Sequence, residues 1–574
     1  MSPSMACKKF TFNFQYLNVY KPCLLLKIQC LMIDIINKTI NEVFYEATTL
    51  WGNLPFIVSK QISDNKLKTI SYNEAFEKST EYSELILMAG YGKNQRFALL
   101  LGNSIEHFLV KLALNRIGIS CVPLNPDSSE HEISFILDDS AATLVITCKK
   151  WLKLVAKSIK INRSTARVVL IEEIFANIPN NTERWTSNSK IETETEASLL
   201  YTSGTTGKPK GCILSNEYEL MCGDSYRNIG PPVSLKINGD KIFNPLPSYH
   251  INAGVLTFFG VLLTGNCLVL PDRFSISSFW HDIEKNNATI FHYLGVIIAV
   301  ILSQESKSFQ IPKSLRLGLG AGVEPALHSK FENLYNIPLI ECWGMTEMCR
   351  IIANNDEPRM INTRAFGRPR KGLEVLIVDQ FKKEVPRGKA GQMVIRYNKN
   401  RPRRGAFSGY LNNSRATEEA WEDGWFHTGD TVIQNEEDML FFVDRSKNII
   451  RRSGENIAAA EVENVLLEDQ RITKVACVSV SDTIREEEVL ACIVLSDQII
   501  ANFETAKSIF LMSLQKLAYF KTPGWILFLS ELPVTGTQKV LKHKLFLEEE
   551  DPTKNPDVFD LRFLKKRRND FNIK

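Results

Sequence analysis

The sequence predicts an α/β protein: a large, multi-lobed N-terminal domain carrying a small β-rich lobe, followed by a smaller α+β C-terminal domain. Three observations lead there. The chain has 574 residues, too many for one ordinary hydrophobic core. Its N-terminal part alternates apolar strand-like runs with capped amphipathic stretches. The texture then changes twice, near Arg364 and near Asp444.

The alternation is clearest from residue 96 onward. Residues 96–101 read as a strand, Asn103–Ser104 as a helix cap, and Ile105, Phe108, Leu109 and Leu112 as the apolar face of the helix. Gly118 stops that helix. Residues 120–124 return as a strand and 142–147 repeat the signal, so βαβ units and a mainly parallel sheet are expected. Between Arg364 and Tyr410, short strands at 375–378 and 393–397 stand among Gly and Pro, the pattern of a small β lobe. Beyond Asp444, strands at 472–480, 489–495 and 525–529 and helices at 461–467 and 506–517 make a compact unit of ordinary domain size. The expected division is an extension or mis-assigned start at 1–31, an N-terminal domain at 32–447, a C-terminal domain at 448–550 and a basic tail at 551–574. The run Lys565–Lys566–Arg567–Arg568 reads as solvated.

Composition excludes several function classes. With 44% apolar and 23% charged residues the chain is neither disordered nor fibrous, and a net charge of +4 leaves no nucleic-acid footprint. Twelve cysteines without a CxxC pair argue against a zinc site or a disulfide framework and for a reducing cytoplasm. No apolar run is long enough to span a bilayer.

The strongest chemical signal is Tyr201-Thr-Ser-Gly-Thr-Thr-Gly-Lys-Pro-Lys-Gly211. Its glycines let backbone approach an anion, its hydroxyls and N–H groups donate to phosphate oxygens, and its lysines add positive charge. The spacing differs from that of the ordinary P-loop, in which four residues separate the first Gly from Gly-Lys-Ser/Thr. The segment resembles the AMP-binding signature of the adenylate-forming superfamily of acyl-CoA synthetases, peptide-synthetase adenylation domains and luciferases. Further segments resemble that family in its order: Gly320-Ala-Gly-Val-Glu-Pro325, Trp343-Gly-Met-Thr-Glu347, Gly424-Trp-Phe-His-Thr-Gly-Asp430, Asp444 to Ile457 with Glu461-Val-Glu463, and Leu532-Pro-Val-Thr-Gly-Thr-Gln-Lys539. Together they cover roughly residues 32–550.

The resemblance implies ATP, Mg2+ and coenzyme A as ligands, a β-barrel form for the small lobe, and a C-terminal domain that is mobile. It assigns nucleotide contacts to Thr202, Ser203, Gly204, Thr205, Thr206, Gly207 and Lys208, to Gly322, Val323 and Glu324, to Trp343, Gly344, Met345 and Thr346, and to Asp430 and Arg445. Glu347 would hold magnesium. Lys539 would bridge the substrate carboxylate and the α-phosphate, with Thr346 and His250 (in Leu246-Pro-Ser-Tyr-His-Ile-Asn-Ala-Gly254) as further catalytic residues. Asn448 would be the hinge, and Arg452 and Gly454 would face coenzyme A after rotation. For His250, a packed histidine on a half-buried turn is an equal reading.

Two departures, Gln538 for glycine and Asn448 for an acidic hinge residue, resemble the crotonobetaine/carnitine–CoA ligase-like branch. The expected reaction is ATP-dependent, AMP-forming ligation of a small-molecule carboxylate to coenzyme A; loading of a carrier-protein pantetheine is the alternative. The acyl pocket is expected at 249–254, 290–297 and 318–324, with His292 and Tyr293 available, and Tyr293, Trp343 and Glu341 as candidates for a quaternary ammonium. No nucleic acid and no membrane span are expected, and the oligomeric state is open, a homo-oligomer included.

Overall fold

The computed structural model describes residues 32–182, 190–202, 209–304, 311–445, 449–496, 499–533, 540, 542, 545–546 and 551–566, with Asp444 and Arg445 described by backbone alone.

The expected βαβ start is present. Arg96–Leu100 pairs in parallel with Ser120–Pro123 on one side and Leu144–Thr147 on the other. The intervening helix Ile105–Arg116 begins where the Ser104 hydroxyl accepts from His107 N at 3.2 Å, a cap that contributes about 1 kcal/mol. It ends at Gly118, whose φ of 73° is the left-handed conformation that glycine adopts without a Cβ penalty. The sheet has seven strands and closes on its other side with Glu196–Thr202 and Lys210–Ser215, an antiparallel pair, and the short Gly409–Tyr410.

A second sheet of eight strands has a parallel centre made of Leu317–Ala321, Ile290–Leu294, Lys241–Phe243 and Cys267–Leu270. The helix Ile105–Arg116 is buried at every position but its last, and Asn216–Arg227 is buried over most of its length. Phe108 of the first layer stacks on Phe258 of the second, ring centroids 4.3 Å apart, and Lys111 is enclosed there with Glu219 at 2.8 Å and the Ser198 hydroxyl. A buried cation is tolerable in such a place only with partners of this kind.

The third sheet is the expected small lobe: six antiparallel strands forming a half-barrel, with Trp425–Gln434 between Leu440–Arg445 and Ala390–Arg396. The fourth, also six-stranded, forms the C-terminal unit around Glu486–Leu495, with helices Ala459–Leu466 and Phe503–Lys516 packed on it.

One expectation is corrected here. Residues 551–566 are not a solvated tail. Val558–Asp560 adds an antiparallel strand to Trp525–Phe528, Leu561 is fully buried, and Lys565 Nζ lies 2.6 Å from Glu488 Oε1 with almost no exposure of either side chain. Apolar residues Val558, Phe559 and Leu561, ahead of the basic run, carry Lys565 into the interior. Among the described residues no helix is long and apolar enough to cross a membrane, and the described cysteines are all free.

Candidate active site

The glycine-rich segment is the connection of a β-hairpin. Glu196–Thr202 and Lys210–Ser215 pair in antiparallel register with Thr202 opposite Lys210. Ser203, Gly204, Thr205, Thr206, Gly207 and Lys208 lie outside the described residues. Lys210 Nζ sits 4.9 Å above the Tyr410 ring, and the Tyr410 hydroxyl donates to Glu347 Oε1 at 2.8 Å. The hairpin mouth and the magnesium candidate are thus brought together. Glu347 Oε2 has no hydrogen-bond partner among the described residues, and a hard carboxylate oxygen near the mouth of the Thr202/Lys210 hairpin suits Mg2+, which takes one or two protein carboxylates and fills its remaining positions with phosphate and water.

Strands Leu339–Met345 and Met348–Ala353 form a second hairpin whose turn carries Thr346. The Thr346 carbonyl accepts from Tyr218 OH at 2.8 Å, which anchors the turn on the second layer. Gly344 is exposed, while Met345 and Thr346 are half-buried. Trp343 Nε1 donates to Asp430 Oδ2 at 2.8 Å and both residues are buried, so the adenine and ribose candidates are joined directly. Asp430 stands opposite Arg445 in the strand register.

Glu341 holds the loop that is expected on the adenine's other side. Its Oε2 accepts from Gly322 N at 2.8 Å and Val323 N at 3.3 Å, and its Oε1 from Tyr293 OH at 2.7 Å. Burial pushes its carboxyl above the ordinary range. Gly295 lets the loop come this close, because a Cβ there would collide with the Gly322 carbonyl oxygen. Glu324 is turned outward to Arg364 at 3.1 Å.

The C-terminal unit reaches the same cleft through the hairpin Ile449–Arg452 and Glu455–Ala458. Glu455 Oε1 lies 3.2 Å from His250 Nε2 and 3.3 Å from Tyr249 OH. Arg451 Nη2 lies over Gly322 and Gly454 presses on Leu294, where a Cβ would run into the Leu294 side chain. Away from the hairpin, Lys521 joins Glu132 of the first layer at 2.6 Å to Glu461 at 2.7 Å, and Ser129 Oγ donates to the Lys516 carbonyl at 2.6 Å.

Several sequence expectations change in detail. Arg452 does not face the cleft: its guanidinium is buried on Glu488 at 2.7 Å, and the neighbouring Arg451 takes the cleft side. Gly454 lies against Leu294. His292 is not available to a ligand, being fully buried with both ring nitrogens engaged. Glu341 and Tyr293 are engaged with each other. Lys539 and Asn448 lie outside the described residues, as does the Arg445 side chain. Tyr410, Tyr218 and Lys521 carried no sequence signal; Glu455 stood inside a quoted motif, directly after Gly454.

Residues 45–411 match the profile of the AMP-binding enzyme family and residues 461–539 that of the AMP-binding enzyme C-terminal domain. The chain belongs to the AMP-binding enzyme family. Over 532 residues it is 25% identical to a crotonobetaine/carnitine–CoA ligase of Citrobacter koseri, covering 89% of this chain and 100% of that enzyme. It is 27% identical to its Proteus mirabilis counterpart over 521 residues, 86% and 98% of the two chains. Among solved structures, o-succinylbenzoate CoA synthetase from Bacillus subtilis, bound with its product analogue, aligns with a TM-score of 0.76 at 24% identity over 88% of this chain and 98% of that one. In complex with ATP and magnesium ion the same synthetase aligns with a TM-score of 0.62 at equal coverage.

The His250–Glu455 contact between the two parts of this AMP-binding enzyme sets a pH dependence. Burial alone would lower the imidazole pKa, but the charge and hydrogen bond of Glu455 outweigh it and hold His250 above its ordinary 6.5. For Glu455, burial acts upward, and the charge and hydrogen bond of His250, with the charge of Lys521 and the hydrogen bond of Tyr249, together outweigh it and pull the carboxyl below its ordinary 4.5. A raised histidine pKa stabilises the docked hairpin fully below the ordinary histidine value and loses that contribution as pH rises through the raised one. The docked fraction, read by energy transfer between dyes on the two parts, is expected to fall through that window, and Glu455→Gln is expected to flatten the step.

Proposed function

We propose that this enzyme is an AMP-forming carboxylate–CoA ligase. A carboxylate oxygen attacks the α-phosphorus of ATP and pyrophosphate leaves; the thiol sulfur of coenzyme A then attacks the acyl carbon of the mixed anhydride and AMP leaves. The observation that carries this is the convergence, on one cleft, of the Thr202/Lys210 hairpin mouth, Thr346–Glu347, Trp343–Asp430 and a hairpin of the C-terminal unit touching His250 and Gly322. Full-length similarity to two CoA ligases supports it.

In this reading Glu347 holds Mg2+, which neutralises the departing pyrophosphate. Thr346 binds the α-phosphate, Asp430 accepts from the ribose, and Lys539 escorts the carboxylate onto phosphorus. The hairpin seated at His250 suits the second step, as does the higher TM-score to the product-analogue complex. Rotation near Asn448 would withdraw it and present Lys539 for the first. Small to medium acyl groups suit the cleft. The carboxylate expected for a quaternary ammonium, Glu341, is already engaged by Tyr293, Gly322 and Val323. A cytoplasmic location and free coenzyme A as acceptor belong to the same proposal.

Given MgATP and labelled pyrophosphate, the enzyme is expected to exchange label into ATP only when a competent acid is added, and to form thioester on free coenzyme A. Exchange with no acid of a broad panel would overturn the reading. Thioester on a carrier-protein pantetheine alone would move it to the carrier-loading alternative.

A further inference from the structure

The turn after His250 holds a polar network whose donors and acceptors can be assigned from one end. Leu246 N–H can only donate, so the atom of Asn244 it meets at 3.0 Å is Oδ1. Asn244 Nδ2 therefore faces Asn252 at 2.9 Å and the Thr257 hydroxyl at 2.9 Å. A donor facing Asn252 requires Asn252 to present Oδ1. The same Oδ1 lies 3.0 Å from His292 Nδ1, so that nitrogen carries the proton, and His292 Nε2 accepts from Tyr226 OH at 2.9 Å. The imidazole stays neutral, since burial pushes it down to about 3. Asn244, Thr257, His292 and Tyr226 are all without measurable exposure.

The consequence is that Asn252 cannot flip. Its Oδ1 is filled by two donors, and its Nδ2 has no acceptor among the described residues. Asn252 is half-buried, whereas residues 253–270 behind it are buried without a break; it stands two residues after His250, which meets Glu455 of the C-terminal unit, and it is bonded to His292 of the strand Ile290–Leu294. It also opens a π-helical turn, Asn252–Thr257, a rare geometry concentrated at functional sites.

We infer that Asn252 is a specificity-determining residue, and that the acid activated here carries a neutral oxygen acceptor on its acyl chain, a hydroxy or oxo acid. This rests on the cleft being an acyl site, as proposed above. A fixed amide donor left unpaired by a plain alkyl chain disfavours that chain. It offers nothing to a quaternary ammonium and no full positive charge to a second carboxylate.

The test is acid-dependent ATP–pyrophosphate exchange with 3-hydroxybutanoate, 3-oxobutanoate and 4-hydroxybutanoate against butanoate, and with succinate and 4-(trimethylammonio)butanoate as charged competitors. The best oxygen-bearing acid is expected to exceed butanoate in kcat/KM by about tenfold or more. Asn252→Leu is expected to bring that ratio close to one, with its thermal unfolding checked against the parent. A ratio near one in the parent, a ratio unmoved by Asn252→Leu, or preference for either charged competitor would overturn the inference. The parent ratio decides even if the variant does not fold. Exchange without preference defeats this inference alone; no exchange with any acid defeats the ligase reading beneath it.

Discussion

Lys539→Ala is expected to lower acid-dependent ATP–pyrophosphate exchange by about a hundredfold or more, while thiolysis of supplied acyl-AMP is largely kept. The first step brings a carboxylate and a triphosphate together and gathers negative charge on phosphoryl oxygens, and losing one placed donor at such a point commonly costs about 3–4 kcal/mol in the barrier. The second step, in the proposed reading, is attack of the thiol on the uncharged acyl carbonyl of the mixed anhydride with AMP leaving, and the arrangement with Glu455 at His250 and Gly454 on Leu294 suits it. Lys542, the next lysine along, cannot substitute, because it is tied to Glu463 at 2.6 Å and to the Cys477 carbonyl at 2.9 Å. Single-turnover rates for the two half-reactions, measured separately, check this. Equal loss in both would remove Lys539 from its assigned role.

Glu488→Leu is expected to destabilise the C-terminal unit by about 3–5 kcal/mol, the cost of leaving a buried ion without its partner. Glu488 is fully buried between two cations, Arg452 at 2.7 Å and Lys565 at 2.6 Å, whose side chains are 6% and 1% exposed. Lys565 is also held by the carbonyls of Phe520 at 3.2 Å and Thr522 at 2.7 Å. Leucine would fill the space and strand the Arg452 guanidinium, while Lys565, whose ammonium burial already pulls down to about 7, would shed its proton. Because the same unit carries both Arg452 of the hairpin that enters the cleft and Lys539, thioester formation and pyrophosphate exchange should both fail at a lower urea concentration than in the parent. Hydrogen exchange along Glu486–Leu495 measures the effect directly, and unchanged protection there would contradict it.

The parts of this protein legible in its sequence were those governed by neighbours along the chain. Ser104 and Gly118 mark a helix by local chemistry, and the glycine-rich segment signals in eleven consecutive residues the AMP-binding family to which the chain belongs. What could not be read depends on distant partners or on parity. Tyr410 meets Glu347 across 63 positions and Tyr293 meets Glu341 across 48, with nothing local to announce either. Arg451 and Arg452 are adjacent on a strand, so they face opposite sides, and the register that turns the first to the cleft comes from the fold. Lys565 misled because charge runs usually stay in water, while here Glu488 lay waiting 77 residues upstream. The interdomain tie of Lys521 to Glu132 and Glu461 belongs to the same class.

In the proposed reaction the carboxylate is activated by bonding its own oxygen to the α-phosphorus. With an acid labelled with 18O in both carboxylate oxygens, MgATP and coenzyme A, one label is expected in the phosphate of AMP for each thioester formed. Label appearing in inorganic phosphate beside ADP, or AMP released without label, would contradict it.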